Sequence, residues 1–267
     1  MNPMSVGNAQ HLPLELDAAL HAYVDGVRHL FGDHLIGIYC HGSLAYGAFE
    51  AATSDVDLVV VYERGLTAAQ QEGLAALHTR LLSAHPAVAR LDVTYAPLDA
   101  IGTDGRTGPI FRDGHLVVEG RGDLNAVTRH TLRTRGLALY GPPPLEIVPP
   151  ASLEDLRATM RYNIAFLRHR MPAYVWGGTT PTVFGVLTLC RVLYTLRTGQ
   201  ITGKRAAGEW ALGQVATPWR PFLRRALTRY NRPDGVDLVL AAGAIPFVTY
   251  IARLAQDMPP QPESQGQ

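Results

Sequence analysis

The stretch "YCHGSLAYGAFEAATSDVDLVVVYERG", residues 39–65, decides how this chain is read. An apolar strand runs into Gly42-Ser43, and about eleven residues further on Asp55 and Asp57 stand at the head of a second, Val-rich strand. Residues two apart on a strand point the same way, so the two carboxylates share a face about 7 Å apart at the backbone. Two like charges where a protein normally begins to bury side chains call for a cation. Mg²⁺ takes oxygen ligands and is commonly held by one or two carboxylates plus substrate phosphates, so the pair points to a metal that carries a nucleotide. Gly42 lets a phosphate approach the backbone, Ser43 adds a hydroxyl donor, and the start of a following helix adds unpaired N–H groups.

Outward from this stretch the pattern alternates. Residues 14–30 repeat apolar side chains at helical spacing, "LIGIYC" reads as a buried strand, and residues 66–84 form an amphipathic helix with Thr67 as N-cap. "ARLDVTYAPL", residues 89–98, reads as a third strand with Asp92, Thr94 and Ala96 on one face and Val93 and Tyr95 on the other. Asp92 is thus a third carboxylate, placed to take the proton of an acceptor hydroxyl or to share a second metal. Residues 99–114 read as a loop, "HLVVEG" as an edge strand, and 123–141 as a helix ending at Gly141. "GPPPLEIVPP", residues 141–150, concentrates five prolines and reads as a linker. Beyond it the pattern is helical over 152–171, 181–198, 203–215, 218–230 and 237–256, with Ser152 and Asp155 as a capping-box start. The tail 258–267 has too little apolar content to order.

Composition narrows the function class. A chain of 267 residues at 47% hydrophobic suits two lobes with real cores. Lys+Arg 24 against Asp+Glu 23 leaves a formal charge of +1, too balanced to recruit nucleic acid or an anionic membrane through its overall field. "RPFLRRALTRY" has a basic face without the aromatic ladder of a nucleic-acid binder. Cys40 and Cys190 each sit in an apolar run, which predicts buried free thiols and a reducing compartment. No basic-then-apolar leader opens the chain, and no uninterrupted apolar run reaches the ~18 residues of a membrane span, so the expected location is the cytoplasm. The ten histidines show no zinc-ligand spacing, and His41 is expected to be structural. Of the basic residues only Lys204 is a lysine, which suggests that a compact, flexible ammonium is wanted there.

"GSLAYGAFEAATSDVDLVVV" resembles the nucleotidyltransferase core of the DNA polymerase β-like superfamily, whose signature is Gly-Ser, Asp-x-Asp and a distal acid. "LTLCRVLYTLRTGQITGKRAAGEWAL", residues 187–212, resembles the C-terminal helical domain of the aminoglycoside adenylyltransferases that modify spectinomycin and streptomycin. The resemblance implies an α+β fold: a mixed sheet with flanking helices in a nucleotidyltransferase domain over 1–150, and an α-helical bundle binding substrate and nucleotide over 151–257, with the ligands in a cleft between domains. It implies Mg²⁺-dependent transfer of AMP from ATP to an antibiotic hydroxyl by a monomer. Gly42, Ser43, Ser54, Arg191 and Lys204 would meet the nucleotide; Asp55, Asp57 and Asp92 would hold metal, with Asp92 as base.

Three positions depart from the family pattern. Asp92 stands where members have Glu, one methylene longer. Pro181 and Phe184 stand where streptomycin-modifying members have Asp and His, and residues 111–118 contain no match to the Trp that helps hold streptomycin. Spectinomycin is therefore the expected acceptor. Two alternatives remain at the sequence level: the same fold adenylylating another small molecule, a protein or tRNA, or a weakly active nucleotide-binding module.

Overall fold

The computed structural model describes residues 12–103, 107–230, 232 and 235–256. The tail 258–267 and the extreme N-terminus lie outside these. The chain divides into two compact units, Met1–Ala151 and Ser152–Gln267.

In the first unit the elements are α1 (Leu14–Phe31), β1 (Leu35–His41), α2 (Gly42–Ala45), β2 (Val56–Tyr62), α3 (Ala68–Ala84), β3 (Leu91–Pro97), β4 (Thr107–Arg112), β5 (His115–Arg121), α4 (Ala126–Arg135), β6 (Leu137–Tyr140) and α5 (Pro144–Ile147). The strands form one sheet in the order β5-β4-β3-β2-β1-β6. Only β2 and β3, joined through α3, run parallel; the other pairs are antiparallel. Period-two alternation splits each strand between two cores. Leu58, Val60, Val93, Tyr95 and Phe111 pack with Tyr23 and Val27 of α1 and Leu74 and Leu77 of α3. Tyr39, Val59, Val61 and Ala96 face the other way, onto Leu132 of α4 and Val148. The start of α3 is fixed by a reciprocal capping box in which Thr67 and Gln70 satisfy each other's backbone N–H.

Besides the short α5, which falls within the expected linker 141–150, two elements differ from the sequence expectation. The expected loop at 99–114 contains β4, paired with β5 through a two-residue turn in which Asp113 and Gly114 both have positive φ, 52° and 76°. That is the type I′ geometry whose twist matches the flanking strands, and Asp-Gly is a strong sequence signal for it. The expected helix 123–141 stops at Arg135, and Leu137–Tyr140 pairs with the edge of β1 instead. An open strand edge outbids helix propensity over four residues because it satisfies their backbone groups and lets Leu139 bury.

The second unit is helical: α6 (Leu153–Trp176), α7 (Thr179–Thr198), α8 (Lys204–Ala211), α9 (Arg220–Arg229) and α10 (Leu238–Gln256). Ser152 and Asp155 form the capping box that starts α6. Its core gathers Met171, Val186, Leu189, Leu193, Leu223, Phe247 and Ile251. Asp237, whose side chain has no exposed surface, ties α9 to the start of α10. It accepts from Arg225 Nε at 2.8 Å, from Arg229 Nε at 3.1 Å and from Leu240 N at 3.2 Å. Its own N–H donates to Thr179 Oγ1 of α7 at 2.8 Å. Helices α7 and α10 are long and apolar enough by length and composition to cross a membrane, although the sequence shows no uninterrupted apolar run of that length. Both contribute to this core, and 61% of the α7 window is buried inside the unit. Cys40 and Cys190 are buried free thiols.

Candidate active site

Register builds the site. His41 ends β1 opposite Asp57 of β2, and Asp57 is the parallel partner of Asp92 on β3. On β4, Phe111 pairs with Val93, which sets Arg112 beside Asp92. Alternation puts His41, Asp57, Asp92 and Arg112 on one face, the face of Tyr39, Val59 and Ala96, as a polar row across four strands at one end of the sheet. Asp55 stands one residue ahead of the start of β2 and is exposed.

Gly42 closes the row. Its φ is 65°, and a Cβ there would overlap the Asp57 carboxylate, so a residue with a side chain is excluded on both counts. Ser43 is half-buried in α2, which spans four residues and therefore offers less of a helix dipole than the sequence expectation assumed. The Ser54 hydroxyl accepts from Glu50 N at 2.9 Å, and its carbonyl accepts from the Arg90 guanidinium; together these fix the loop that delivers Asp55.

Asp92 differs most from expectation. Both of its oxygens accept from Arg112, Nε to Oδ2 at 2.6 Å and Nη2 to Oδ1 at 3.1 Å, and Arg112 reaches Asp123 as well at 2.9 Å. Burial pushes the Asp92 carboxyl above its ordinary range, Arg112 opposes this, and the negative charges of Asp123 and Asp57 push it further up. Among the described residues no group of three or more His, Cys, Asp and Glu is arranged to hold a metal ion. The Arg112 guanidinium thus takes up one side of the Asp92 carboxylate. Asp55 and Asp57 offer the carboxylate oxygens that Mg²⁺ takes, so they would be the residues to hold such an ion. His41 is buried, and burial lowers its pKa to about 4 against the pull of Asp123 and Asp92, so it stands neutral at pH 7.

In the second unit Phe184, Thr188 and Arg191 fall at i, i+4 and i+7 on α7, the stripe turned away from the helical core. Lys204 opens α8, with its ammonium 4.3 Å from the centre of the Phe184 ring. Trp210 packs edge-on to Tyr194, centroids 5.2 Å apart, and serves the core.

Comparison with known proteins adds names to this geometry. A nucleotidyltransferase domain matches residues 22–100, and the C-terminal domain of aminoglycoside adenylyltransferase matches residues 146–251. The chain is thus similar in both of its units to proteins of the aminoglycoside adenylyltransferase family. Its enzyme class is nucleotidyltransferase. A spectinomycin 9-adenylyltransferase of Staphylococcus aureus is 24% identical over 205 residues, 70% of this chain and 74% of that one. An aminoglycoside (3'') (9) adenylyltransferase of Rhizobium radiobacter is 33% identical over 98 residues, 37% of this chain and 35% of that one. The crystal structure of a spectinomycin adenyltransferase from Enterococcus faecialis, with ATP and spectinomycin, shares the fold with a TM-score of 0.73 at 17% identity. It covers 90% of this chain and 99% of that one.

Within this nucleotidyltransferase, sequence reasoning missed Arg112 and Asp123. The Asp113-Gly114 turn was the signal for Arg112: reading it as a hairpin puts residue 112 at the end of a strand. Asp123 had none, since it sits after β5 and reaches the row only by folding, its N–H donating to Thr94 Oγ1 at 3.2 Å.

Proposed function

We propose that this adenylyltransferase transfers AMP from ATP to a hydroxyl of an aminocyclitol antibiotic, with spectinomycin preferred over streptomycin. The observation that carries the reading is the paired carboxylates Asp57 and Asp92 on adjacent parallel strands, with the Gly42-Ser43 turn packed directly against Asp57. The Ser43 and Ser54 hydroxyls donate to phosphate oxygens, and Arg191 and Lys204 add positive charge to the triphosphate. Asp55 and Asp57 would hold Mg²⁺, which when bound neutralises phosphate oxygens as charge builds at the α-phosphorus. The acceptor oxygen bonds to the α-phosphorus, the bond to the bridging oxygen breaks, pyrophosphate leaves, and Asp92 takes the acceptor's proton. Arg112 uses two of the roughly four lone-pair sites of that carboxylate, so about two remain to accept.

The preference for spectinomycin rests on Pro181 and Phe184, which offer a polycationic acceptor neither charge nor hydrogen bond. ATP as co-substrate and two buried thiols favour the cytoplasm, and the reading takes the protein to act as a monomer without membrane or nucleic-acid partners. Purified protein with Mg-ATP is expected to release pyrophosphate only when spectinomycin is added, and Asp57→Ala is expected to abolish that release. No release with spectinomycin, streptomycin or related aminocyclitols would overturn the proposal.

A further inference from the structure

Among the described residues two histidines of the sheet unit are buried, and they are held differently. His78 bonds the Tyr95 hydroxyl through Nε2 at 2.8 Å and stacks on Phe111, as a histidine serving the core does. His41 is only 9% exposed, yet its ring has no hydrogen bond, ion pair or ring contact among the described residues. Its backbone alone is engaged, in the β1–β2 ladder and through a carbonyl that accepts from Cys40 Sγ at 3.6 Å. The polar atoms sealed without a partner include Tyr39 Oη and His78 Nδ1 but neither nitrogen of His41, so the His41 nitrogens are unpaired and still reachable from solvent. A ring buried on its flanks with bonds unmade at nitrogen costs stability unless something arrives to make them.

The place of His41 in the polar row says what that partner is. His41 faces Asp57 across one ladder and Asp57 is aligned with Asp92 across the next, so His41 and Asp92 flank Asp57, about 10 Å apart by strand spacing. In displacement at phosphorus the attacking and leaving oxygens lie roughly in line on opposite sides. With Asp92 taking the proton of the attacking hydroxyl, the leaving oxygen departs toward the other end of the row, where His41 leads directly into the Gly42-Ser43 turn. An imidazole carries at least one N–H in either protonation state. We propose that His41 is a further catalytic residue, its ring N–H donating to the pyrophosphate oxygen that gains the electron pair when its bond to the α-phosphorus breaks. The proton stays on the ring and pyrophosphate leaves as the anion. The bond strengthens as charge builds on that oxygen, so it counts for more in the transition state than in bound ATP. This rests on the reading of Asp92 as the base and assigns the leaving group a donor of its own.

The full-length protein has ten histidines, and with ring-nitrogen labelling the NMR signal that disappears in His41→Gln belongs to residue 41. In the wild type that signal should move on titration with Mg-pyrophosphate. His41→Phe keeps a ring without the donor. By calorimetry its affinity for Mg-pyrophosphate should fall roughly 10- to 150-fold, the range for a hydrogen bond to a charged group, and His41→Gln, which keeps an N–H donor, should recover most of the loss. In turnover with spectinomycin, His41→Phe should lower kcat by a similar factor and leave KM for spectinomycin unchanged. Its deficit should be larger with β,γ-methylene-ATP, which has the poorer leaving group, than with β,γ-difluoromethylene-ATP, which has the better one; a ring that only fills space would lower both alike. A residue-41 signal indifferent to pyrophosphate, equal pyrophosphate affinity in wild type and His41→Phe, or an equal deficit with the two analogues would each overturn the inference. Pyrophosphate binding that depends on His41 in a protein that leaves spectinomycin unmodified would instead contradict the proposed reaction and leave the His41 assignment supported.

Discussion

Asp92 works between two opposing influences, a half-buried site that favours its neutral form and a guanidinium that favours its charge. If Asp92 is the base, as proposed, Asp92→Asn keeps the shape but cannot take a proton, and kcat is expected to fall about 10²- to 10⁴-fold. Arg112→Met leaves Asp92 beside Asp57 and Asp123 without its cation. Steady-state assays should then show activity down roughly 10- to 100-fold, the usual cost of losing a residue that orients a functional group. Residues reachable by counting along a strand were legible in the sequence: Asp57 and Asp92 share a face because both strands alternate and their registers align. Arg112 was not, since its position depends on a partner strand that the loop reading of 99–114 had removed.

At the scale of elements, the β4–β5 hairpin carries Arg112 to Asp92, and its turn depends on residue 114 at a φ of 76°. Gly114→Val forces a branched side chain into left-handed backbone and should cost about 1–2 kcal/mol in urea unfolding, with a loss of activity that follows the displaced Arg112. In the helical unit, Asp237→Ala leaves the guanidinium groups of Arg225 and Arg229 without their shared carboxylate and removes the acceptor for Leu240 N–H. The guanidinium groups left behind reach solvent, so the expected destabilisation is about 1–3 kcal/mol by the same measurement. The helices were legible because each carries its own start signal or apolar stripe, as at Thr67 and Ser152. Strand β6 was hidden because "LALY" is as good a helix former as a strand, and only the unpaired edge of β1 decides between them.

For the whole molecule, stability should depend on pH through histidines buried neutral. His78 is 2% exposed, stacks on Phe111 and bonds the Tyr95 hydroxyl at 2.8 Å, and burial lowers its pKa to about 4. Below the unfolded value near 6.5 the unfolded chain binds the proton more readily. Stability is therefore full above about pH 7 and is lost as pH falls from about 6.5 to 4, by an amount on the order of 3 kcal/mol for this residue. Unfolding midpoints measured across that window should fall steeply for the wild type and less steeply for His78→Phe. The proline-rich stretch at 141–150 and the change of pattern after it are what the sequence offers toward a boundary, whereas the contacts that tune the acids came from folding alone. The central claim, transfer of AMP to an aminocyclitol hydroxyl, is tested most directly by mass spectrometry of spectinomycin after incubation with the protein and Mg-ATP. The account predicts spectinomycin heavier by one adenylate with the wild type and unmodified spectinomycin with Asp57→Ala. Unmodified spectinomycin and intact ATP with the wild type would contradict it.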